Sequence, residues 1–299
     1  MREFGYKIIP DNAYLRAKDG AGINYGFWIQ QKGKEYYFKT GTKFELYSEL
    51  FFGELAKLLN MPSVSYDLAK YKDLKGVISK SFNPNKRKVL NAFDLLENYL
   101  TFMKENIDIF SESPWISNIY NLENLWWAIS YYYKNHPKKK EIVKRLMNQL
   151  TKQFMLQLLT FNSDLNYGNV LLITGKSPYL APSFDYGRCS LVEFTSVDHT
   201  YNLISNHSII AKGPQRNIQI IQEFLNMSDE SHIREFAKYL NILIQIDFKE
   251  IIRKIELITQ YTVSDDIKEY LIGNYQEKLI QIQKILFENQ EYQRIKKIV

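Results

Sequence analysis

Apolar residues fall in short alternating or clustered runs over the first eighty positions, then recur at helical spacing through most of the remainder. Gly26-Phe27-Trp28-Ile29-Gln30-Gln31 and Glu35-Tyr36-Tyr37-Phe38-Lys39 are aromatic-rich runs separated by Lys32-Gly33-Lys34. This pattern predicts a β-hairpin with glycine in its turn. Leu50, Phe51, Leu55, Leu58 and Leu59 then share a helical face, which predicts a helix over 46–60. Pro62 stops it, because the residue before a proline disfavours the helical conformation. Strands are expected over 64–69 and 76–82, and Asn83-Pro84-Asn85 breaks the pattern. Long helical periods follow over 89–104, 122–134 and 141–161, the last with Ile142, Leu146, Leu150, Phe154 and Leu158 on one broad face. A short strand pair over 169–174 and 179–183 interrupts them, and the tail reads as helices over 214–226, 231–246, 248–260 and 264–289. The organisation predicted is α+β: a small sheet-bearing lobe with one helix, residues 1–82, joined to a larger mainly helical lobe, residues 83–299.

Composition narrows the class. The chain has 299 residues, 45% of them hydrophobic, with 22 Tyr, 18 Phe and 4 Trp to build a large core. A single cysteine, Cys189, excludes an internal disulfide framework and a multi-cysteine zinc site. The four histidines, at 136, 199, 207 and 232, do not have metal-ligand spacing. The net charge of +6 is spread over short clusters at 70–75, 86–88 and 138–145, each read as a solvated face. No apolar run approaches the roughly 20 residues a membrane span needs, and no apolar segment follows the charged N-terminus. A cytoplasmic protein without a membrane span is expected. Tyr131-Tyr132-Tyr133 and Trp126-Trp127 are read as helix packing, and Asp198-His199 lacks the nucleophile elbow of a serine hydrolase.

The segment that carries chemistry is Asp164-Leu165-Asn166-Tyr167-Gly168-Asn169, between the end of an apolar helix and an apolar strand. Sixteen residues on comes Asp185, within Pro182-Ser183-Phe184-Asp185-Tyr186-Gly187, a separation that suits one hairpin turning at Gly175-Lys176-Ser177. Asn and Asp populate turns through local hydrogen bonds, and either segment alone says no more than that. Together they match phosphoryl transfer. An acceptor hydroxyl is oriented by one carboxylate, here Asp164, and Mg²⁺ takes hard oxygen ligands, here Asn169 and Asp185. The N-terminal region supplies the other parts in the required order. These are a glycine-bearing segment (Gly20, Gly22 and Gly26), a strand lysine (Lys39), and a helix carboxylate to hold it. Glu49 suits the last role, with Glu45 and Glu54 as competitors. By topology the hinge whose backbone would hold adenine falls at 78–82, including Lys80 and Phe82.

On these residues the sequence resembles the HipA-like kinases. That family carries Asp, four intervening residues and Asn in its catalytic loop, as at Asp164 and Asn169, and a metal-binding aspartate after a Pro-x-hydrophobic step, as at Asp185. Its Ser-Glu pair opening an apolar helix looks like Ser48-Glu49, which favours Glu49 over Glu54. The resemblance covers about residues 20–190 and implies a two-lobed protein-kinase-like fold using ATP and Mg²⁺. It further implies a protein Ser/Thr acceptor and a small regulatory or antitoxin-like partner, as in toxin–antitoxin pairs. No nucleic-acid readout is expected. The chain departs from the family in having Leu165-Asn166 where a variable residue and His are common, and in having neither Ser nor Thr between Ala17 and Gly26. A small-molecule or lipid kinase, and a nucleotide-binding pseudokinase acting as an interaction module, are the alternatives the same residues allow.

Overall fold

The computed structural model describes residues 2–3, 6–11, 13–17, 26–106, 122–162, 167–187, 189, 221–222, 224–226 and 228–296. Gly20, Gly22, Asp164, Asp198 and His199 lie outside the described residues, as does most of the helix expected over 214–226.

Strands β1 (Arg2–Glu3), β2 (Tyr6–Ile8), β3 (Tyr14–Ala17), β4 (Gly26–Gln31), β5 (Lys34–Thr40), β6 (Tyr66–Tyr71) and β7 (Leu74–Lys80) form one sheet, in the order β1-β2-β6-β7-β5-β4-β3. The expected hairpin is β4–β5, with Gln31 opposite Lys34. Lys32 and Gly33 both take positive φ there, 50° and 70°, the two-residue turn whose twist matches that of paired strands. The sheet is mixed, not wholly antiparallel: β2 runs parallel to β6, with Lys7 opposite Ala69. A parallel pair needs a long crossover, and here three strands and a helix intervene.

That helix, α1 (Lys43–Leu58), starts three residues earlier than its apolar pattern because Thr42 and Glu45 form a reciprocal capping box. Eleven consecutive residues, Leu46 to Ala56, are buried, more than one amphipathic stripe allows. The sheet covers one side of α1, and the C-terminal helices α6 (Phe248–Thr259) and α8 (Asn274–Glu288) cover the other. Phe51 packs on Phe248 at 5.9 Å between ring centroids, and Phe52 on Tyr275 at 5.2 Å. One hydrophobic cluster therefore runs from α1 into the helical half, while Phe27, Ile29, Phe38, Tyr71 and Ile78 form a smaller cluster of their own.

Beyond the large sheet, β8 (Val89–Asn91) pairs with β9 (Leu171–Ile173), which pairs with β10 (Tyr179–Leu180). The first three residues of the expected 89–104 helix are thus a strand. Helix α2 (Ala92–Asn106) begins where Asn91 and Asp94 cap one another, each side chain accepting the other's backbone N–H. Arg87, expected on a solvated face, instead donates to the carbonyls of Thr174 (2.6 Å) and Ser177 (2.8 Å) and fixes the β9–β10 turn. Helices α3 (Leu122–Tyr132), α4 (Lys139–Thr160), α5 (Glu230–Gln245), α7 (Asp265–Lys268) and α9 (Gln290–Lys296) complete the described chain. On α3 the packing face is Leu125, Ala128 and Ile129, all buried. Trp127 lies off that stripe and is 55% exposed, and Tyr132 at the helix end is 39% exposed, so these two aromatics are not core. No helix among the described residues is long and apolar enough to cross a membrane.

Candidate active site

Strand alternation puts Phe38 into the small cluster and turns its neighbour Lys39 to the opposite face of the sheet. There Lys39 Nζ donates to Glu49 Oε1 at 2.9 Å and to Asp185 Oδ1. Three distant segments meet in this contact: β5, α1 and the stretch that follows β10. The competition among the glutamates is resolved by geometry. Glu45 is used in the capping box, and Glu54 pairs with Lys57 and with Lys254 of α6, which hold its carboxyl below the usual range despite partial burial.

Glu49 is only 1% exposed. Burial pushes its carboxyl up; Lys39 and the backbone N–H of Tyr186, which donates to Oε2 at 2.8 Å, act against that. Burial also opposes the charge on Lys39, but the two carboxylates outweigh it and raise the ammonium well above the ordinary lysine value. The two carboxylates thus favour the charged form of the lysine.

Asp185 is held by its backbone. It sits at φ 64°, a left-handed conformation that costs a non-glycine residue about 1–2 kcal/mol. Its N–H donates to the Tyr66 hydroxyl at 3.0 Å, and its carbonyl accepts from Asn162 Nδ2 at 2.9 Å. The next peptide is bracketed from α1: Ser48 Oγ donates to the Tyr186 carbonyl (2.6 Å) while Glu49 takes the Tyr186 N–H, and the Tyr186 hydroxyl donates to Ser63 Oγ (3.0 Å). Sequence reasoning did not single out Tyr66, Asn162 or Ser63. Their contributions are contacts across the fold that no local pattern announces. Ser48 was visible only as the neighbour of Glu49.

Four further candidates lie among the described residues. Asn169 closes a single 3-10 turn (Tyr167–Asn169) before β9 and borders a small cavity with Ser183, two residues before Asp185. Phe82 stacks on Phe184 at 5.6 Å, and its carbonyl accepts from the Tyr179 hydroxyl at 2.9 Å. Lys80 is exposed at the end of β7, opposite Tyr36. Gly26 begins β4 opposite Lys39, and a Cβ there would stand 2.3 Å from the Tyr37 hydroxyl. Gly76 on β7 has the same constraint, for a Cβ would meet the Lys39 carbonyl at 2.3 Å and the Phe38 ring at 2.8 Å. Gly76→Ala is expected to force β5 and β7 apart at a cost of about 1–3 kcal/mol. Thermal melting should show a fall of several degrees; an unchanged melt would mean the close approach is not required.

A cation flanked by two carboxylates, one buried and one half-buried, can bind an incoming anion and present hard oxygens to a metal. Among the described residues no group of three or more His, Cys, Asp or Glu forms a metal cage. The donor chemistry of Asp185 and Asn169, a carboxylate and an amide oxygen, fits Mg²⁺, which takes one or two protein ligands with substrate phosphates and water.

No family model matches the chain, and none of the curated proteins matches it in sequence. Its structure does match solved ones. The proinflammatory kinase CtkA of Helicobacter pylori aligns with a TM-score of 0.56 and 19% identity over 93% of this chain and 97% of that one. HipA of Shewanella oneidensis MR-1, solved with HipB and its operator DNA, aligns with a TM-score of 0.53 and 12% identity over 91% of this chain and 68% of that one. At such identities the likeness is one of architecture: the chain has the two-lobed, kinase-like α+β fold that CtkA and HipA share.

Proposed function

We propose that the protein is an ATP- and Mg²⁺-dependent kinase that phosphorylates a Ser or Thr hydroxyl of a protein. The observation that carries this reading is Lys39 held between buried Glu49 and Asp185, on a fold shared with two kinases. An ammonium has three donors. Glu49 and Asp185 engage two, and the third is left for a phosphate oxygen. Glu49 fixes the direction of Lys39 and keeps it charged. Asp185 and Asn169 would hold Mg²⁺, which supplies charge neutralisation on the phosphates when bound. In this reading the glycines at 20, 22 and 26 let the backbone approach the phosphates, and the hinge around Lys80 and Phe82 receives the base. Asp164 accepts the proton of the acceptor hydroxyl. A small regulatory protein is the partner this reading brings with it.

The test is transfer of radiolabel from γ-labelled ATP to the protein itself and to a generic basic protein substrate, with and without Mg²⁺. Label on Ser or Thr that depends on Mg²⁺ is expected. Binding of ATP with no transfer to any acceptor would replace this reading with a nucleotide-binding interaction module.

A further inference from the structure

A cavity of about 520 Å³ opens between α3, α4 and the start of α5. It lies within the roughly 300–1,000 Å³ range of ligand pockets. None of its lining residues is among those placed around Lys39, Asp185 or Asn169 above.

The lining has two characters. Trp126, Val143 and Met147 supply apolar surface, and Lys139, Lys140 and Lys144 supply positive charge. Among the described residues none of these lysines pairs with a carboxylate, although each lies within the run 138–145 that the sequence presents as a solvated face. The start of α4 adds the positive end of a helix dipole; Lys138 at its N-cap makes no side-chain cap, and the Lys139 N–H donates to the His136 carbonyl at 3.0 Å. The Trp126 indole N–H is shielded from water and has no acceptor, which costs about 1–3 kcal/mol if nothing satisfies it.

The one carboxylate in the lining, Asp229, has its Oδ1 engaged and stands against three lysines. It caps α5 by accepting from the His232 N–H (2.9 Å) and the Ser231 hydroxyl (2.8 Å), and faces the His232 ring at 3.2 Å. The groove thus offers donors and positive charge around an apolar floor.

We propose that this groove docks an acidic peptide segment of a partner protein, with an apolar side chain on Trp126, Val143 and Met147 and flanking carboxylates on the three lysines. A free small anion would not use the adjoining surface. Trp127, three residues before the groove-lining Ser130 and hence beside it on the helix, is 55% exposed and extends the apolar floor outward. A nucleic acid is less well matched. Phosphodiester binding gains from many cations along a track, and here the three lysines lie within one six-residue stretch of α4. A membrane surface needs a protruding apolar face, and this one is concave.

The experiment is fluorescence anisotropy of a labelled peptide of glutamates and serines around one phenylalanine, without nucleotide. Its outcome is thereby independent of phosphoryl transfer. Saturable binding that weakens as salt rises is expected. The triple variant Lys139→Glu/Lys140→Glu/Lys144→Glu should weaken it at least about tenfold, and Trp126→Phe by a few fold. Glutamates in the first turns suit the helix dipole, so the triple variant should melt like wild type; a Lys→Gln triple serves if it does not. ATP turnover on a generic substrate should be unchanged in either. No peptide binding by wild type, equal binding by the lysine variants, or binding only of a single-stranded oligonucleotide or a phosphatidylserine vesicle would overturn the proposal.

Discussion

Lys39→Met is expected to remove phosphoryl transfer and to lower the melting temperature, and a second substitution separates the two effects. Methionine keeps most of the stem but leaves the Glu49 carboxylate, 1% exposed, without its cation. Breaking a buried pair from one side costs about 3–5 kcal/mol. Lys39 is 16% exposed and the Tyr186 N–H still serves Glu49, which brings the expected loss to about 2–4 kcal/mol, or roughly 5–10 °C. The penalty belongs to the ionised carboxyl, which burial raises above the ordinary glutamate value of 4.5, so the gap between variant and wild type should narrow as pH falls towards 4.5 and be smallest below it. In Lys39→Met/Glu49→Leu the uncompensated charge is gone, and most of the stability should return. Turnover should stay about 10²–10³ below wild type, because no cation meets the phosphate oxygens. Melts followed by circular dichroism and radiolabel transfer read the two quantities separately. Turnover that recovers together with stability would make Lys39 a structural lysine.

That coupling of stability and chemistry was only half visible in the sequence. The alternation of β5 turns Lys39 away from the Phe38 face, and the apolar periodicity of α1 locates the helix that meets it. Periodicity could not choose among Glu45, Glu49 and Glu54. The choice follows from capping at Thr42 and from Lys254, two hundred residues beyond Glu54. The buried run from Leu46 to Ala56 was likewise hidden, because full enclosure of α1 depends on helices at the far end of the chain. Strand β8 is masked in the sequence, since Val89 and Leu90 fit the helical period as well as the pairing with β9 that they adopt. Arg87 looked solvated because its partners are backbone carbonyls, which leave no trace in the sequence. The spacing of Asn169 and Asp185 did anticipate the β9–β10 hairpin between them. Gly20, Gly22 and Asp164 rest on the sequence alone.

The two aspartates should differ in what they remove, and the comparison is cleanest with asparagine at both. At position 185 alanine would confound the test, because φ 64° disfavours it, whereas asparagine tolerates the left-handed region. The contacts that hold this residue, to Tyr66 and Asn162, are made by its main chain and survive in Asp185→Asn. Lys39 retains Glu49. Folding should therefore be nearly unchanged, with a melting temperature within about 2–4 °C of wild type. What is lost is the carboxylate proposed to anchor Mg²⁺. Affinity for ATP should drop about tenfold in the presence of Mg²⁺ and much less in its absence, and turnover should fall by about 10³ or more. Asp164→Asn should leave ATP affinity as it is, since that residue is proposed to address the acceptor hydroxyl. Turnover should fall by about 10²–10⁴, the contribution of a positioned general base, or roughly 3–5 kcal/mol of barrier. Calorimetric ATP titrations with and without Mg²⁺, beside single-turnover transfer rates, separate the two signatures. If Asp185→Asn binds ATP and Mg²⁺ as wild type does, the metal assignment fails. If Asp164→Asn turns over at the wild-type rate, the general-base assignment fails, and the proton of the acceptor must leave by another group.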